Sequence, residues 1–191
     1  MGKLYEYDSA YYEWERKIET MEVQRYFPIF VSLKQKKVVV IGGGTIAARR
    51  VKTLLLFGCE ITVISPNVND TMGGLFFENP GLIWKQRSYR QGDCKGAFLV
   101  VAATNCREVN REIGQECQRN GIFVSVADRK EESSFYFPAI ATSGAIVAGI
   151  TSSGTNHKQT AQAAQQVRNC LTDMQQEEKN VKKEIAQCEL E

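Results

Sequence analysis

The sequence has few of the residues that bind metals or form disulfide networks. Its 191 residues include one histidine, and the six cysteines are scattered, with no Cys-x-x-Cys pair among them. A zinc site or a disulfide framework is therefore not expected, no metal ligands are assigned, and the thiols are interpreted as buried or bystander side chains. Because cysteine usage of this kind is typical of the cell interior, we predict a cytoplasmic location.

Long apolar runs and a net charge of one sign are also missing. No stretch approaches the roughly 20 apolar residues that a membrane-spanning helix needs. The first residues carry acidic side chains such as Glu6 and Asp8 where a secretory signal would have an apolar core. The 24 basic residues nearly balance the 22 acidic ones, so neither a nucleic acid nor a membrane is expected as a partner.

The pattern around which the chain is organised is a β-branched run that ends in three glycines. Residues 38–41 are all apolar, as in a strand that is buried on both faces of a parallel sheet, and Gly42, Gly43 and Gly44 follow directly. Gly42 permits a tight turn, Gly44 lets a pyrophosphate approach the backbone, and Ala47 lets the next helix pack close to the strand. The pattern predicts a dinucleotide site, and a glycine-rich turn without a ligand is the alternative.

Strand-like and helix-like segments alternate after this motif. Strands are predicted over 38–41, 60–66, from 82, 97–105 and 122–128, with helices over 45–57 and 107–120 and a short helix or loop over 68–81. This alternation predicts an α/β fold with a Rossmann-like, doubly wound parallel sheet. Two later apolar segments, 135–140 and 145–151, read as an antiparallel extension. Because such strands need cover, a partner subunit and hence a homodimer are expected.

Composition divides the chain into four parts. Residues 1–24 form an N-terminal extension rich in tyrosine and charge, with Met1 and Met21 both possible as the start. We expect an NAD-binding Rossmann domain over 25–130, an antiparallel dimerisation segment over 131–155 and a C-terminal helical segment over 156–191. A heptad-like spacing after residue 164 indicates an amphipathic helix, with Glu178 interrupting the register.

The end of the second predicted strand bears on the choice of cofactor. Dinucleotide folds place the adenosine ribose there, and NAD enzymes often have an acidic residue at this point. This chain has Ser65, Pro66 and Asn67, with no arginine beside them to hold a 2′-phosphate. The sequence therefore favours NAD over NADP, although the usual carboxylate is missing.

Five separate segments resemble one known family and keep its order and spacing over about residues 26–155. They are Tyr-Phe-Pro-Ile-Phe at 26–30, Val-Val-Val-Ile-Gly-Gly-Gly at 38–44, Ala-Ala-Thr-Asn at 102–105, Ile-Phe-Val-Ser-Val-Ala-Asp at 122–128 and Ser-Phe-Tyr-Phe-Pro-Ala at 134–139. The family is the N-terminal module of siroheme synthases, with precorrin-2 dehydrogenase and sirohydrochlorin ferrochelatase activity. The resemblance implies NAD-dependent oxidation of precorrin-2 to sirohydrochlorin, and some members also insert iron.

The resemblance also implies roles for individual residues. Asp128 matches the family's catalytic aspartate, and a carboxylate at the carboxyl edge of a sheet could accept the proton that dehydrogenation releases. Without the resemblance, a strand-end or turn carboxylate is the simpler interpretation of Asp128. By position, the cofactor contacts are Thr45 and Ile46 beside the glycines, Pro66 and Asn67 at the adenosine end, and Thr104 and Asn105 towards the nicotinamide.

The chain departs from the family pattern in two places. Thr142 and Ser143 stand where the family usually has an Asp-Arg pair, and the Ser-Thr-Gly-Gly-x-Ser-Pro loop is altered over 152–157. Within that loop, Asn156 and His157 are candidate substrate contacts. For His157, a solvent-exposed loop position and a metal ligand are the alternatives, and one histidine without a ligand cluster makes a poor metal site.

Three functions compete at this point. The first is a precorrin-2 dehydrogenase, in which ferrochelatase activity is left open because the C-terminal helical segment is shorter than in the family. The second is a non-catalytic module that binds NAD and a tetrapyrrole but has lost turnover, as the altered loop suggests. The third is a chelatase alone, which the preserved glycine loop disfavours.

Overall fold

The structure is a computed structural model that describes residues 26–153 and 155–188. The predicted N-terminal extension lies outside the described residues, as do Gly154 and residues 189–191. Both possible starts, Met1 and Met21, therefore lie outside the described residues. The altered loop 152–157 is described except for Gly154.

Five parallel strands form the main sheet, in the order β3-β2-β1-β4-β5. Their bounds are Lys37–Ile41 for β1, Glu60–Ile64 for β2, Ile83–Lys85 for β3, Leu99–Ala102 for β4 and Phe123–Val126 for β5. The chain winds outward from β1 to β3 and then returns to the other side of β1, so the strand order reverses between β1 and β4. Folds of this kind bind ligands at such a reversal, outside the carboxyl ends of the strands.

Helices cover both faces of this sheet, which is why its central strands are apolar at every position. The helices are α1 over Thr45–Leu55, α2 over Asp70–Glu78 and α3 over Arg107–Arg119. Val38 and Val40 pack in the core with α1 and α2, whereas Val39 and Ile41 pack in a second core with α3. The predicted doubly wound α/β fold is thereby confirmed.

The end of β5 differs from the prediction, and two serine side chains bond to the backbone of its free edge. The fifth strand was predicted to run to residue 128 but ends at Val126, because the chain turns back along its free edge. There the Ser134 and Ser133 hydroxyls accept hydrogen bonds from the backbone N–H groups of Val124 and Val126, both at 2.8 Å. Asp128 consequently lies in the turn after β5. A short 3₁₀ helix, Lys130–Glu132, completes this turn.

The region 68–81, predicted as a short helix or loop, contains the helix α2. Its start is set by Asn69, whose side-chain oxygen accepts a hydrogen bond from the Met72 N–H at 2.9 Å. This is the usual N-terminal cap of a helix.

The antiparallel extension is a hairpin of β6, Ala139–Ser143, and β7, Ile146–Ile150. Its first strand is shifted from the predicted segment 135–140, because it starts only at Ala139 and runs on to Ser143. The helix α4, His157–Cys188, packs on β6 and includes Glu178, the residue that interrupts the heptad-like register of the sequence. Two bonds join the helix to this strand: the Ser143 hydroxyl donates to the Leu171 carbonyl at 3.2 Å, and Arg168 donates to the Ile140 carbonyl at 3.1 Å. Part of the cover for the hairpin therefore comes from the same chain.

One buried carboxylate organises the loop between β3 and β4. Glu116 on α3 is 4 % exposed. It accepts hydrogen bonds from the Tyr89 hydroxyl at 2.6 Å, the Gly92 N–H at 2.8 Å and the Cys94 N–H at 2.9 Å. Burial alone would raise the pKa of Glu116, but these donors outweigh it and lower the pKa below its usual value. Burial, together with the hydrogen bond to Glu116, raises the pKa of Tyr89. An ionised Glu116 thus ties this loop to α3.

We expect the Glu116→Gln variant to lose about 1–3 kcal/mol of unfolding free energy. The reason is that the NH₂ group of the glutamine would face an N–H or O–H group that now donates to Glu116. Because the folded-state pKa of Glu116 is lowered, its contribution to stability is fully present above the ordinary value of about 4.3. That contribution is lost as the pH falls through the folded-state pKa. Urea unfolding at several pH values should therefore show a weaker acid dependence for the variant. The exposed Glu112→Gln on the same helix is the control, and equal losses for both variants would contradict this account.

Candidate functional site

The first two glycines of the motif are required by packing between loops. Gly42 has a φ of +124°, and a methyl group added there would lie 2.1 Å from the carbonyl oxygen of Ala103. A methyl group at Gly43 would lie 2.1 Å from the carbonyl oxygen of Asn67. These glycines allow the loops after β1, β2 and β4 to meet at the carboxyl edge of the sheet.

Gly44 differs from the other two, because a methyl group on it would meet no protein atom within 4 Å. It is the N-cap of α1 and provides no side-chain hydrogen bond to the first turn. Thr45 and Ile46 are exposed beside it, whereas Ala47 is buried against the sheet as predicted. At the positive end of α1, the first N–H groups therefore have no side-chain cap, and the space beside Gly44 is open. This cradle fits a pyrophosphate group.

The loop after β2 forms one side of this space. The Ser65 hydroxyl is buried and donates a hydrogen bond of 2.6 Å to the carbonyl oxygen of Asn67, so it shapes the loop. Pro66 and Asn67 are exposed. Asn69, which sequence reasoning missed, also joins this loop to the glycines, because its N–H donates to the Gly43 carbonyl at 3.0 Å.

The loop after β4 forms the opposite side and is held by a buried amide. Asn110 on α3 is 1 % exposed. Its side-chain oxygen accepts from the Thr104 N–H at 3.0 Å and from the Thr104 hydroxyl at 2.7 Å, and its NH₂ donates to the Thr104 carbonyl at 3.0 Å. Asn105 remains exposed at the edge. Asn110 was also missed, although its place one turn before the core residue Ile113 was a signal.

Asp128 lies in the turn after β5, with its side chain 37 % exposed. Arg107, the first residue of α3, has its Nη1 atom 3.9 Å from Asp128 Oδ1. The same guanidinium donates through Nη2 to Glu132 Oε1. Arg107 therefore links the candidate base to the loop after β4. Neither Arg107 nor Glu132 was identified from the sequence, because the two stand 25 positions apart.

The altered loop before α4 is closed by its own hydrogen bonds. The Ser152 hydroxyl accepts from the Asn156 N–H at 3.0 Å, and the Asn156 side chain accepts from the Gln159 N–H at 2.9 Å. Ser153 has a φ of +55°, a conformation that favours glycine. Asn156 thus serves as a helix cap, whereas His157 is exposed and contributes to the wall of a cavity.

Two hollows lie at opposite edges of the sheet. One of about 600 Å³ is lined by residues such as Lys37, Lys95 and Gly121 at the amino edge. The other, of about 180 Å³, lies at the carboxyl edge and is lined by Ser125, Ala127 and His157 among others. Because the glycine cradle and Asp128 are at the carboxyl edge, the smaller hollow belongs to the candidate site in spite of its size.

The structure shows neither a metal-ligand cluster nor a membrane-spanning helix over 26–153 and 155–188. Within those ranges, no group of three or more His, Cys, Asp or Glu side chains is placed to hold a metal ion. No helix of the described part of the chain is both long and apolar enough to span a bilayer. The described cysteines, which are Cys59, Cys94, Cys106, Cys117 and Cys170, are free thiols.

The chain is similar to known proteins over most of the described part. A putative NAD(P)-binding family matches residues 29–139. The chain is 44% identical over 144 residues to the probable multifunctional siroheme biosynthesis protein HemA of Ruminiclostridium josui, with 74% of this chain and 28% of that protein covered. It is 35% identical over 140 residues to the precorrin-2 dehydrogenase of Bacillus subtilis, with 73% of this chain and 85% of that protein covered.

A solved structure supports the same similarity. The structure of SirC, precorrin-2 dehydrogenase, matches with a TM-score of 0.67 and 27% sequence identity, and the match covers 75% of this chain and 70% of that one. A siroheme synthase of Nitrosomonas europaea is 33% identical over 131 residues, which are 69% of this chain and 28% of that protein. The chain therefore spans little more than a quarter of the length of several relatives, but most of the Bacillus protein.

We expect the Gly44→Ala variant to fold as stably as the parent but to bind NAD⁺ about tenfold more weakly, a change of about 1.4 kcal/mol. The reason is that the added methyl group enters the space proposed for the pyrophosphate and touches no protein atom. Calorimetric titration and thermal unfolding measure the two effects. For comparison, Gly42→Ala should lose folding stability, because its methyl group meets Ala103. Unchanged NAD⁺ affinity in Gly44→Ala would show that the cofactor does not use this space.

Proposed function

Since this chain belongs to the siroheme synthase N-terminal module family, together with precorrin-2 dehydrogenases, we propose that it oxidises precorrin-2 to sirohydrochlorin with NAD⁺. One observation carries the proposal. An open dinucleotide cradle at Gly44 and an accessible carboxylate, Asp128, lie at the same edge of the sheet. Dehydrogenation of a macrocycle requires a hydride acceptor and a proton acceptor, and this edge offers a place for each.

The cofactor contacts follow from the loops that surround the cradle. Gly44 and the start of α1 are suited to the pyrophosphate, because free N–H groups and the helix dipole favour an anion there. We assign the adenosine end to Ser65, Pro66 and Asn67, and the nicotinamide end to Thr104 and Asn105. Since the loop after β2 has no arginine at 65–67 for a 2′-phosphate, NAD is preferred to NADP.

In the proposed reaction, Asp128 accepts the proton that leaves precorrin-2. When bound, NAD⁺ supplies the hydride acceptor, so precorrin-2 and NAD⁺ give sirohydrochlorin, NADH and one proton. Arg107 holds the Asp128 side chain towards the loop after β4, and Glu132 fixes Arg107 in turn. The Asp128 side chain is 37% exposed, so its carboxylate is accessible to a substrate. Arg107 and Glu132 are thus positioning residues in this proposal.

A non-catalytic module that binds NAD and a tetrapyrrole is the second candidate. The altered loop favours it, because Asn156 is engaged as a helix cap and Ser153 adopts a conformation better suited to glycine. Under this hypothesis the protein binds NAD⁺ and a tetrapyrrole but forms no NADH. The formation of NADH by the parent protein therefore separates the two functions.

We also propose that the protein is a cytoplasmic homodimer. Free cysteines are typical of a reducing compartment. The β6–β7 hairpin has α4 on one side, yet Ile146 on β7 is 47% exposed. A second copy would cover this apolar strand, as strands outside a main sheet require.

We expect the Asp128→Asn variant to form NADH from NAD⁺ and precorrin-2 about 10²–10⁴-fold more slowly than the parent, because the amide cannot accept the proton. The near-ultraviolet absorbance of NADH measures the rate, and unchanged NAD⁺ affinity shows that the variant is folded. Glu131→Gln, an exposed acidic residue in the same turn, should keep the parent rate. Full activity in Asp128→Asn would exclude Asp128 as the base. A folded parent that binds NAD⁺ without turnover would favour the non-catalytic module.

We expect the Ile146→Lys variant to be monomeric where the parent is dimeric, because a lysine would bring an unpaired charge into an apolar contact. Light scattering coupled to size-exclusion chromatography gives the two molar masses. The matched control is Phe77→Lys on α2, which replaces a 90% exposed apolar residue outside the hairpin and should leave the mass unchanged. A parent that is monomeric at all concentrations, or a dimeric Ile146→Lys, would contradict dimerisation through the hairpin.

A further inference from the structure

The cavity at the carboxyl edge has the chemistry of an anion site. It holds about 180 Å³ between the end of β5, the start of α4 and the aromatic segment 135–137. Its wall contains three residues that are or can become cationic, Arg50, Lys130 and His157, and the hydroxyl residues Ser125 and Thr160. Among the described side chains that line it, none is acidic. A negative charge that balances these cations must therefore come from a ligand or from residues that do not line the cavity.

Arg50 is the least solvated of these cations. It lies half-buried on α1, with its guanidinium carbon 4.2 Å from the centre of the Phe137 ring. Burial, together with the neighbouring Arg49, lowers the pKa of Arg50 to about 10. None of the ion pairs found over the described residues includes Arg50. A partly desolvated cation without a counter-ion is costly, so an anionic ligand would relieve this cost.

Two features of the cavity, the available guanidinium of Arg50 and the hydroxyl of Ser125, suit it to bind an anion. Stacking on Phe137 holds the planar guanidinium in place but leaves its N–H edges available, and such a fork matches the two oxygens of a carboxylate. Ser125 on β5 is 8 % exposed and lines the same cavity. No hydrogen bond of its hydroxyl to another described residue is found, in contrast to Ser133 and Thr160, whose hydroxyls are engaged. The cavity thus offers a cation and a free hydroxyl group.

We propose that this cavity binds one carboxylate arm of the tetrapyrrole substrate, with Arg50 as the cationic contact and the Ser125 hydroxyl as a second donor. The inference rests on the proposed function for the identity of the substrate. The volume suits an acetate or propionate arm, whereas pockets that enclose a whole small molecule hold about 300–1,000 Å³. Ala127 also lines the cavity and directly precedes Asp128. Anchoring an arm here would therefore place the macrocycle next to the candidate base.

The test compares Arg50→Met and Arg50→Lys with the parent, with Arg49→Met as the matched control. Arg49 is the neighbouring residue on α1 and is exposed outside the cavity. We expect Arg50→Met to raise the KM for precorrin-2 by at least about tenfold with kcat unchanged, because a charge-assisted contact to the substrate is lost. Arg50→Lys should restore part of the loss, and Arg49→Met should behave as the parent.

A binding measurement separates this inference from the proposed function. The quenching of uroporphyrin fluorescence gives the affinity for a polycarboxylate tetrapyrrole without any turnover, and NAD⁺ affinity shows that each variant is folded. Weaker uroporphyrin binding in Arg50→Met, with parent-like binding in Arg49→Met, supports the cavity even if the parent forms no NADH. If these binding results are found with a parent protein that forms no NADH, only the proposed dehydrogenase function is overturned.

The opposite results overturn the inference. The first is a parent protein that binds no uroporphyrin. The second is a folded Arg50→Met variant whose KM for precorrin-2 and affinity for uroporphyrin equal those of the parent. The dehydrogenase proposal would survive this second result. Should Arg50→Met fail to fold, Ser125→Ala and Lys130→Gln decide, because both change the cavity wall without touching α1. Unchanged uroporphyrin affinity in both variants would overturn the inference, and weaker affinity in either would support it.

Discussion

The close approach of three loops at the first two glycines is the constraint on which the site depends. Gly42 leaves β1 with a positive φ and lies against the Ala103 carbonyl, while Gly43 lies against the Asn67 carbonyl. Side chains at these positions would push the loops after β4 and β2 away from β1. The proposed cofactor cradle at Gly44, the Thr104 loop and the turn that carries Asp128 all lie along the edge that this contact assembles.

Around this edge, buried polar side chains hold the loops that backbone pairing cannot reach. Asn110 bonds to both the backbone and the hydroxyl of Thr104, and Glu116 on the same helix binds the loop between β3 and β4. Each sits on α3 and faces the sheet with its bonds satisfied, as buried polar groups generally are. The helix α3 therefore does more than cover the sheet, because it also sets the position of two loops. Arg107 at its first turn extends this role to Asp128.

The charges at the site differ between its two sides. On the α3 side, Arg107 is balanced by Glu132 and Asp128. On the α1 side, Arg50 stacks on Phe137 and no carboxylate lines its cavity. A substrate that carries several carboxylates could neutralise the second side and leave the first unchanged. This asymmetry connects the proposed oxidation to a polyanionic tetrapyrrole, because Ala127 lines the anion cavity and directly precedes the candidate base Asp128.

The sequence by itself determined the type and order of most elements, the turn at Gly42 and the resemblance to a family. These properties depend on residues within a few positions of one another: a β-branched run reads as a buried strand, and a glycine supplies a positive φ. Strand ends were less predictable: β5 ends at Val126, before Asp128, and the Ser133 and Ser134 hydroxyls bond to its free edge. Only the tertiary structure decided that Arg107 meets Asp128 and that Arg50 shares a cavity with Ser125. Such pairs are far apart in the chain, so they are brought together by how helices pack on the sheet, which no local pattern encodes.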